Sequence, residues 1–188
     1  MAAVIAAGVT AGALAGTLTG GGESEEASGP RFTVPIPTSS RQVGVPIDEA
    51  GCTDVREPEI QPSRIIAPEE KHPPYSSVPP TSGPHYVGPL SAAIYWVPND
   101  PEALVANLAQ GDIVVYHTGF DEIKEQNELK GLFVYLHSEE ILATPGEPLG
   151  LKHPIVLTAW GKLQECEQFS GEAIHRFFDK YRGLGPGF

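Results

Sequence analysis

Histidine and cysteine are the residue types in this chain whose chemistry and spacing could form a reactive site. The 188-residue sequence contains six His and two Cys. Three of the histidines, His72, His85 and His117, could converge with Tyr75 on a copper or zinc ion, because imidazole is a good ligand for both metals. His72 and His85 are separated by a proline-rich run, so convergence requires a turn, which its Ser-Gly pair could supply. Two interpretations of His85 follow: it is a metal ligand, or it forms hydrogen bonds that order its own loop.

The two cysteines are far apart in the sequence. Cys52 and Cys166 lie near opposite ends of the part of the chain that is expected to fold, and no Cys-x-x-Cys spacing is present. Metal and redox motifs of cytosolic proteins usually bring cysteines close together in sequence. The spacing therefore favours a long-range disulfide formed in an oxidising compartment over two unrelated buried thiols.

Composition and motif searches argue against several classes of function. Twenty-four acidic residues stand against 12 basic ones, giving a net charge of −12, which disfavours nucleic-acid binding. No glycine-rich phosphate loop is present, and Ser82 does not lie in a Gly-x-Ser-x-Gly turn, so neither nucleotide binding nor a serine hydrolase is supported. The sequence accordingly predicts a protein without enzymatic activity or a cofactor.

The N-terminal part of the sequence predicts attachment to a membrane or export. Residues 1–22 contain no charged side chain, and their number suffices for one membrane-spanning helix, although Ala and Gly make them weakly hydrophobic. Two alternatives stay open, a retained anchor and a cleaved signal peptide without a basic start. Residues 23–41 are rich in Gly, Ser, Glu and Pro and predict a flexible linker. Residues 42–188 are expected to form an extracytoplasmic domain.

Regular structure is predicted after residue 98. Asp100 is a suitable N-cap, Pro101 suits the first helical position, and Gly111 suits the end of that helix. Hydrophobic patterns predict further elements: strands at 112–117, 141–144 and 155–160, and helices at 121–137 and from about residue 170. The predicted fold class is α+β, a single domain with a small central β-sheet packed by about three helices.

A long proline-rich segment, residues 51–98, precedes these elements. Its prolines leave little room for a helix or a central strand, so the chain must run extended. Its aromatic side chains Tyr75, Tyr86, Tyr95 and Trp96 favour a path draped over the domain. We expect the same four residues to be candidates for contact with a protein partner.

The proline-rich segment also carries a motif that marks a family. His72-Pro-Pro-Tyr75 is followed by Pro79-Pro80-Thr81-Ser82-Gly83-Pro84-His85. With the later Leu157-Thr158-Ala159-Trp160-Gly161 and Tyr181-Arg182-Gly183, the chain resembles, over about residues 51–186, a bacterial family of unknown function that has this Pro-Pro-Thr-Ser-Gly-Pro-His motif. The resemblance implies an exported or membrane-anchored protein.

The resemblance also indicates what this chain lacks. Relatives usually carry His-x-x-Glu-His-Gly in the helix where this chain reads Ala106-Asn107-Leu108-Ala109-Gln110-Gly111. Two histidines four positions apart share one helix face and suit a divalent metal. The resemblance therefore implies a degenerate member without that cluster.

These observations lead to one preferred hypothesis and one alternative. The preferred hypothesis is a non-enzymatic accessory or interaction subunit of a membrane-associated protein assembly. It is held in the cell membrane by its N-terminal segment, and its domain lies on the periplasmic or extracellular side. The alternative is an exported copper-binding, zinc-binding or redox-related protein that uses His85 with His72 or His117.

Overall fold

The helices begin and end near the residues that the sequence indicates, in a computed structural model that describes residues 36–120 and 123–187. Helix α1 spans Pro101–Gln110 and ends at Gly111, whose φ of 100° suits a residue without a Cβ. Helix α2 spans Ile123–Leu136, and helix α3 spans Gly171–Tyr181. The Ser170 hydroxyl accepts a hydrogen bond from the Ala173 amide and so caps α3.

Six strands form two sheets among the described residues. They are β1 (Arg64–Ile65), β2 (Pro84–His85), β3 (Ile113–His117), β4 (Ile141–Pro145), β5 (Ile155–Ala159) and β6 (Lys162–Cys166). The main sheet has the order β4-β3-β5-β6, with β3 and β4 parallel and the other pairs antiparallel. Strands β1 and β2 form a small parallel pair. The sequence did not predict β1, β2 or β6.

Side chains of the main sheet alternate between two covered faces. Ile113 and Val115 of β3 belong to the apolar cluster that includes residues of α2 and α3, and we call this side the two-helix face. Val114 and Tyr116 point the other way and pack with Leu104 of α1, on the one-helix face. Burial on both sides explains the nearly continuous apolar run of β3. The predicted α+β domain with a small central sheet and three helices is confirmed.

The proline-rich segment covers both edges of the main sheet. At one edge, the Arg56 amide donates to the Leu163 carbonyl of β6, and the Leu163 amide donates back to Arg56. At the other edge, the Tyr95 amide donates to the Ala143 carbonyl of β4, and the Ala143 amide donates to Ala93. The segment is therefore draped over the domain as predicted, and it pairs with strand edges that would otherwise be exposed.

The predicted disulfide is confirmed and fastens one end of this segment. Cys52 and Cys166 are bonded across a separation of 114 residues, and Cys166 is the last residue of β6. A cross-link that closes so long a loop limits the freedom of the unfolded chain, an effect worth about 2–5 kcal/mol.

A 3-10 turn, Ser40–Gln42, lies where the predicted linker meets the predicted domain and packs on α3. Ser40 is buried, and its hydroxyl lies 3.0 Å from Nδ1 of His175 on α3. The boundaries of the linker and the domain stay a prediction. The predicted anchor, residues 1–22, lies outside the described residues. In the described ranges, no helix has the length and apolar character needed to cross a membrane.

Candidate functional site

His85 is fully buried at the end of the Pro-Pro-Thr-Ser-Gly-Pro-His stretch and is held by hydrogen bonds. Its Nδ1 lies 2.9 Å from the Tyr86 carbonyl, and its Nε2 lies 2.9 Å from the Ser63 hydroxyl. Because a carbonyl only accepts, Nδ1 carries the proton and Nε2 accepts from the Ser63 hydroxyl. This arrangement corresponds to the hydrogen-bonding interpretation of His85.

The rest of the motif, residues 79–85, forms what we call the motif loop. The buried Ser82 hydroxyl accepts from the Gln61 amide at 2.9 Å, and the Tyr75 hydroxyl donates to the Pro84 carbonyl at 2.7 Å. The Thr81 carbonyl accepts from the Gly161 amide, which joins the loop to the turn between β5 and β6. The first two bonds connect parts of the extended segment and the third ties it to the main sheet, so the motif loop orders that segment.

His72 lies beside the motif loop and also has partners for both ring nitrogens. Nδ1 is 2.7 Å from the Pro73 carbonyl, and Nε2 is 3.1 Å from a carboxylate oxygen of Glu102. The Glu102 carbonyl accepts from the Tyr86 amide, which follows His85. The two motif histidines therefore share one neighbourhood, at the start of α1.

Helix α1 packs against β2, and positions 106–110 form its C-terminal half. Ala106 and Ala109 are fully buried, and Asn107 donates to the Leu90 carbonyl and to a carboxylate oxygen of Asp112. Burial raises the pKa of Asp112, and the hydrogen bond from Asn107 opposes that shift. These positions thus serve packing and internal hydrogen bonding in this chain.

His117 occupies a different place and has different surroundings. It ends β3 on the two-helix face, opposite Pro145 at the end of the parallel strand β4. Its side chain faces the rings of Trp96 and Phe120, with centroid distances of 5.6 and 5.0 Å. No described side chain forms a hydrogen bond with either of its ring nitrogens, although only 3% of the residue is exposed.

An open pocket of about 480 Å³ adjoins this imidazole, and we call it the His117 pocket. Besides His117 and two prolines, the pocket is lined by Trp96, Phe120, Gln126 and Glu147. The Gly119 amide donates to a carboxylate oxygen of Glu147 at 3.2 Å, and the Gln126 amide donates to the Phe120 carbonyl at 3.1 Å. The pocket lies at the carboxyl ends of two parallel strands, where open α/β sheets commonly bind ligands.

Burial favours the neutral form of the His117 imidazole. It lowers the pKa, while a hydrogen-bonding interaction with the Tyr95 backbone and the charge of the Glu147 carboxylate act in the opposite direction. A neutral imidazole has one donor nitrogen and one acceptor nitrogen. The pocket can therefore offer both kinds of hydrogen bond next to two aromatic faces.

The predicted three-histidine metal site is not assembled in the described part of the chain. Within residues 36–120 and 123–187, no group of three or more His, Cys, Asp and Glu side chains has the spacing needed to hold a metal ion. His85 and His72 direct their nitrogens at protein partners, and His117 lies at the end of β3 among aromatic rings.

A second depression lies on the other side of Trp96. This edge groove, of about 710 Å³, runs between residues 92–96 and the C-terminal half of α2. Trp96, Phe133, Val134 and Ile141 supply its apolar surface, and Lys130 lies 5.5 Å from the Trp96 ring centroid. Trp96 is 43% exposed and Val134 is 49% exposed, so this surface is open to a partner.

The four aromatic residues predicted to contact a partner have unequal surroundings. The hydroxyls of Tyr75 and Tyr95 donate to the carbonyls of Pro84 and Ser91, so both residues hold the draped segment in place. Tyr86 is half-buried beside the motif loop, whereas Trp96 lines both depressions.

Three residues that line the His117 pocket were not predicted from the sequence: Phe120, Gln126 and Glu147. Phe120 is the one that the sequence could have indicated, because it closely follows His117, the polar end of a strand predicted to be buried.

A comparison with protein families assigns the chain. A family model described as a protein of unknown function, DUF3105, matches residues 68–187. The chain belongs to the DUF3105 family. The match starts just before the motif loop and includes α1, α2, α3 and the main sheet. Comparisons with curated proteins and with solved structures find no match. The interpretation of this chain as a degenerate DUF3105 member stays a prediction.

Proposed function

We propose that this DUF3105 protein is a non-enzymatic binding subunit of a membrane-associated assembly, with its domain on the extracytoplasmic side. The partner is a protein that lays an extended, apolar peptide along the edge groove. The observation that carries this proposal is the exposed Trp96 beside an apolar groove and a sheet edge. The disulfide supports an oxidising location, because such bonds persist outside the cytoplasm.

The sheet edge beside the groove supports an extended partner. Residues 93 and 95 direct backbone groups toward Ala143 of β4. Backbone groups alternate in direction along a strand, so those of Ile94 point away from the sheet. They have no hydrogen-bond partner among the described residues. An added peptide strand would satisfy them, as in recognition by β-augmentation.

The groove beside that edge supports selectivity for apolar side chains. Alternate side chains of an added strand would face Trp96, Phe133 and Val134. A large aromatic residue at the centre of an interface frequently carries much of the binding energy. Lys130 and Glu139 at the groove margin offer one charge of each sign.

The experiment is purification of the full chain from its own membranes in mild detergent, with its native mass measured and co-migrating polypeptides identified. We expect migration in a larger complex with a partner at fixed stoichiometry. Trp96→Ala and Val134→Arg should release that partner. Val87→Arg is the matched control, because Val87 is 78% exposed and does not line the groove.

Two results would overturn the proposal. One is a lone monomer for the unaltered chain under the mildest extraction. The other is a complex that Val134→Arg and Val87→Arg affect equally, which would place the interface elsewhere. The alternative of a copper or zinc protein is tested on the same fraction: stoichiometric metal that is lost in His85→Ala would favour it.

A further inference from the structure

The buried His117 imidazole requires a partner that the described side chains do not supply. A buried polar group without a hydrogen bond is unfavourable by about 1–3 kcal/mol. No described side chain forms a hydrogen bond with either ring nitrogen of His117, the Tyr95 backbone interacts with the ring, and the side chain lines an open pocket. By contrast, both nitrogens of the equally buried His85 are bonded. The His117 pocket is thus a place where a bound group would complete the structure.

Charge and shape restrict the chemistry of that group. The lining side chains include one carboxylate, Glu147, and no basic residue. Lys130 lies 5.5 Å from the Trp96 ring centroid but lines the edge groove and not this pocket. The whole chain carries a net charge of −12. An anion is therefore disfavoured, and a cation is favoured on both local and overall charge.

The two aromatic rings favour a planar cation. Trp96 and Phe120 flank the imidazole at 5.6 and 5.0 Å, and their faces attract cations. A guanidinium is flat, stacks on aromatic rings and is less strongly hydrated than an ammonium. A guanidinium also has five N–H donors, which can form hydrogen bonds to a carboxylate and to an unprotonated imidazole nitrogen.

We propose that the His117 pocket binds a guanidinium group beside Trp96 and Phe120, which both line it. One N–H group donates to the acceptor nitrogen of His117, and others donate to the Glu147 carboxylate at the margin. The donor nitrogen of His117 is left for water at the open side of the pocket. This inference does not depend on the proposed partner at the edge groove, because the two depressions share only Trp96 among their lining residues.

The test is a titration of the full chain with n-butylguanidinium, followed by NMR of the histidine ring and indole N–H signals. We expect saturable shifts at His117 and Trp96. The only other tryptophan, Trp160, does not line the pocket and is an internal control. n-Butylurea has the same shape without the charge, and we expect it to bind at least about tenfold more weakly.

Variants make the assignment specific. Glu147→Gln preserves the size and an acceptor oxygen for the Gly119 amide, so the fold should be retained, and binding should weaken by about tenfold. Glu139→Gln, in the edge groove, is the matched control and should bind as the unaltered chain does. His117→Phe should abolish binding.

Three results would overturn the inference. They are the absence of a saturable shift with n-butylguanidinium, equal binding of n-butylurea, and equal binding by the Glu147→Gln variant. Because the titration uses the purified chain, these results are independent of whether a partner is found at the edge groove.

A pair of peptides identifies the source of the guanidinium. A pentapeptide with a central arginine flanked by alanines is compared with the same peptide carrying citrulline, its neutral isostere. Tighter binding of the arginine peptide than of n-butylguanidinium supports an arginine side chain of a protein as the natural ligand. Binding of n-butylguanidinium with exclusion of the peptide supports a free guanidino compound.

Discussion

His85 and His117 are two almost completely buried histidines with opposite hydrogen-bonding states. Nε2 of His85 accepts a hydrogen bond from the Ser63 hydroxyl, and its Nδ1 donates one to the Tyr86 carbonyl. His117 has aromatic neighbours and no hydrogen bond to any described side chain. The motif loop thus contains the histidine with hydrogen-bond partners, whereas His117 lies outside that loop.

This difference separates a structural role from a candidate binding role. Fully bonded buried polar groups help to specify one arrangement of the chain, and the motif loop joins segments that are about twenty residues apart. A buried polar group without a partner requires another explanation, such as a ligand or water. The motif loop of this chain therefore stabilises the draped segment, and the His117 pocket is where ligand binding should be sought.

The largest effect is expected from the disulfide, which fastens the segment that carries the motif loop. Replacing Cys52 and Cys166 with Ala should lower the free energy of unfolding by about 2–5 kcal/mol, measured by urea denaturation. Hydrogen exchange should increase more in the motif loop than at residues 93–95, because the latter are paired with β4 independently of the disulfide. An equal increase in hydrogen exchange in the motif loop and at residues 93–95 would show that the disulfide does not stabilise the motif loop in particular.

His85→Ala should be the most destabilising single change at either histidine. It leaves a cavity and removes the partner of the Ser63 hydroxyl, and we expect a loss of about 3 kcal/mol in the free energy of unfolding. His153→Ala, at a half-buried position in a loop, is the control and should cost less than about 1 kcal/mol. A similar loss in both variants would remove the structural role assigned to the motif histidine.

His117→Phe should have a smaller effect, in the opposite direction. It replaces an unsatisfied polar ring with an apolar ring next to Trp96 and Phe120, so stability should stay the same or rise by about 1 kcal/mol. Urea denaturation measures the change in protein without added ligand. A loss as large as that of His85→Ala would show that the two histidines have equivalent structural roles.

The smallest effect is a pH dependence that belongs to His117. Burial lowers its pKa in the folded protein, and the Glu147 carboxylate opposes that shift. The unfolded chain therefore binds a proton more readily, near the ordinary histidine pKa of about 6.5. Stability should fall as the pH is lowered from about 7.5 through about 6.5 toward the folded-state pKa.

Comparison with His117→Phe isolates this contribution. Urea denaturation of both proteins at about pH 7.5, 6.5 and 5.5 should show a weaker pH dependence in the variant. Identical curves for the two proteins would mean that the buried imidazole does not titrate differently on folding.

The sequence by itself determined the local elements and the covalent link. Asp100, Pro101 and Gly111 set the limits of α1 through backbone preferences that act over a few residues. With only two cysteines, the one possible disulfide could be named. The apolar run of β3 predicted a strand buried on both faces, since that burial leaves no polar positions.

Only the tertiary structure decided which side chains meet. Strand β6 has just two buried residues, so its sequence carries only a weak hydrophobic pattern for a strand. Its edge is paired with residues 53–56, which lie more than a hundred positions earlier in the chain. Whether a histidine is bonded depends on where such distant segments pack: Ser63 reaches His85, whereas Trp96, Phe120 and Glu147 surround His117 without bonding to it. Hydrogen bonds require a particular distance and direction, and residue types alone do not fix either.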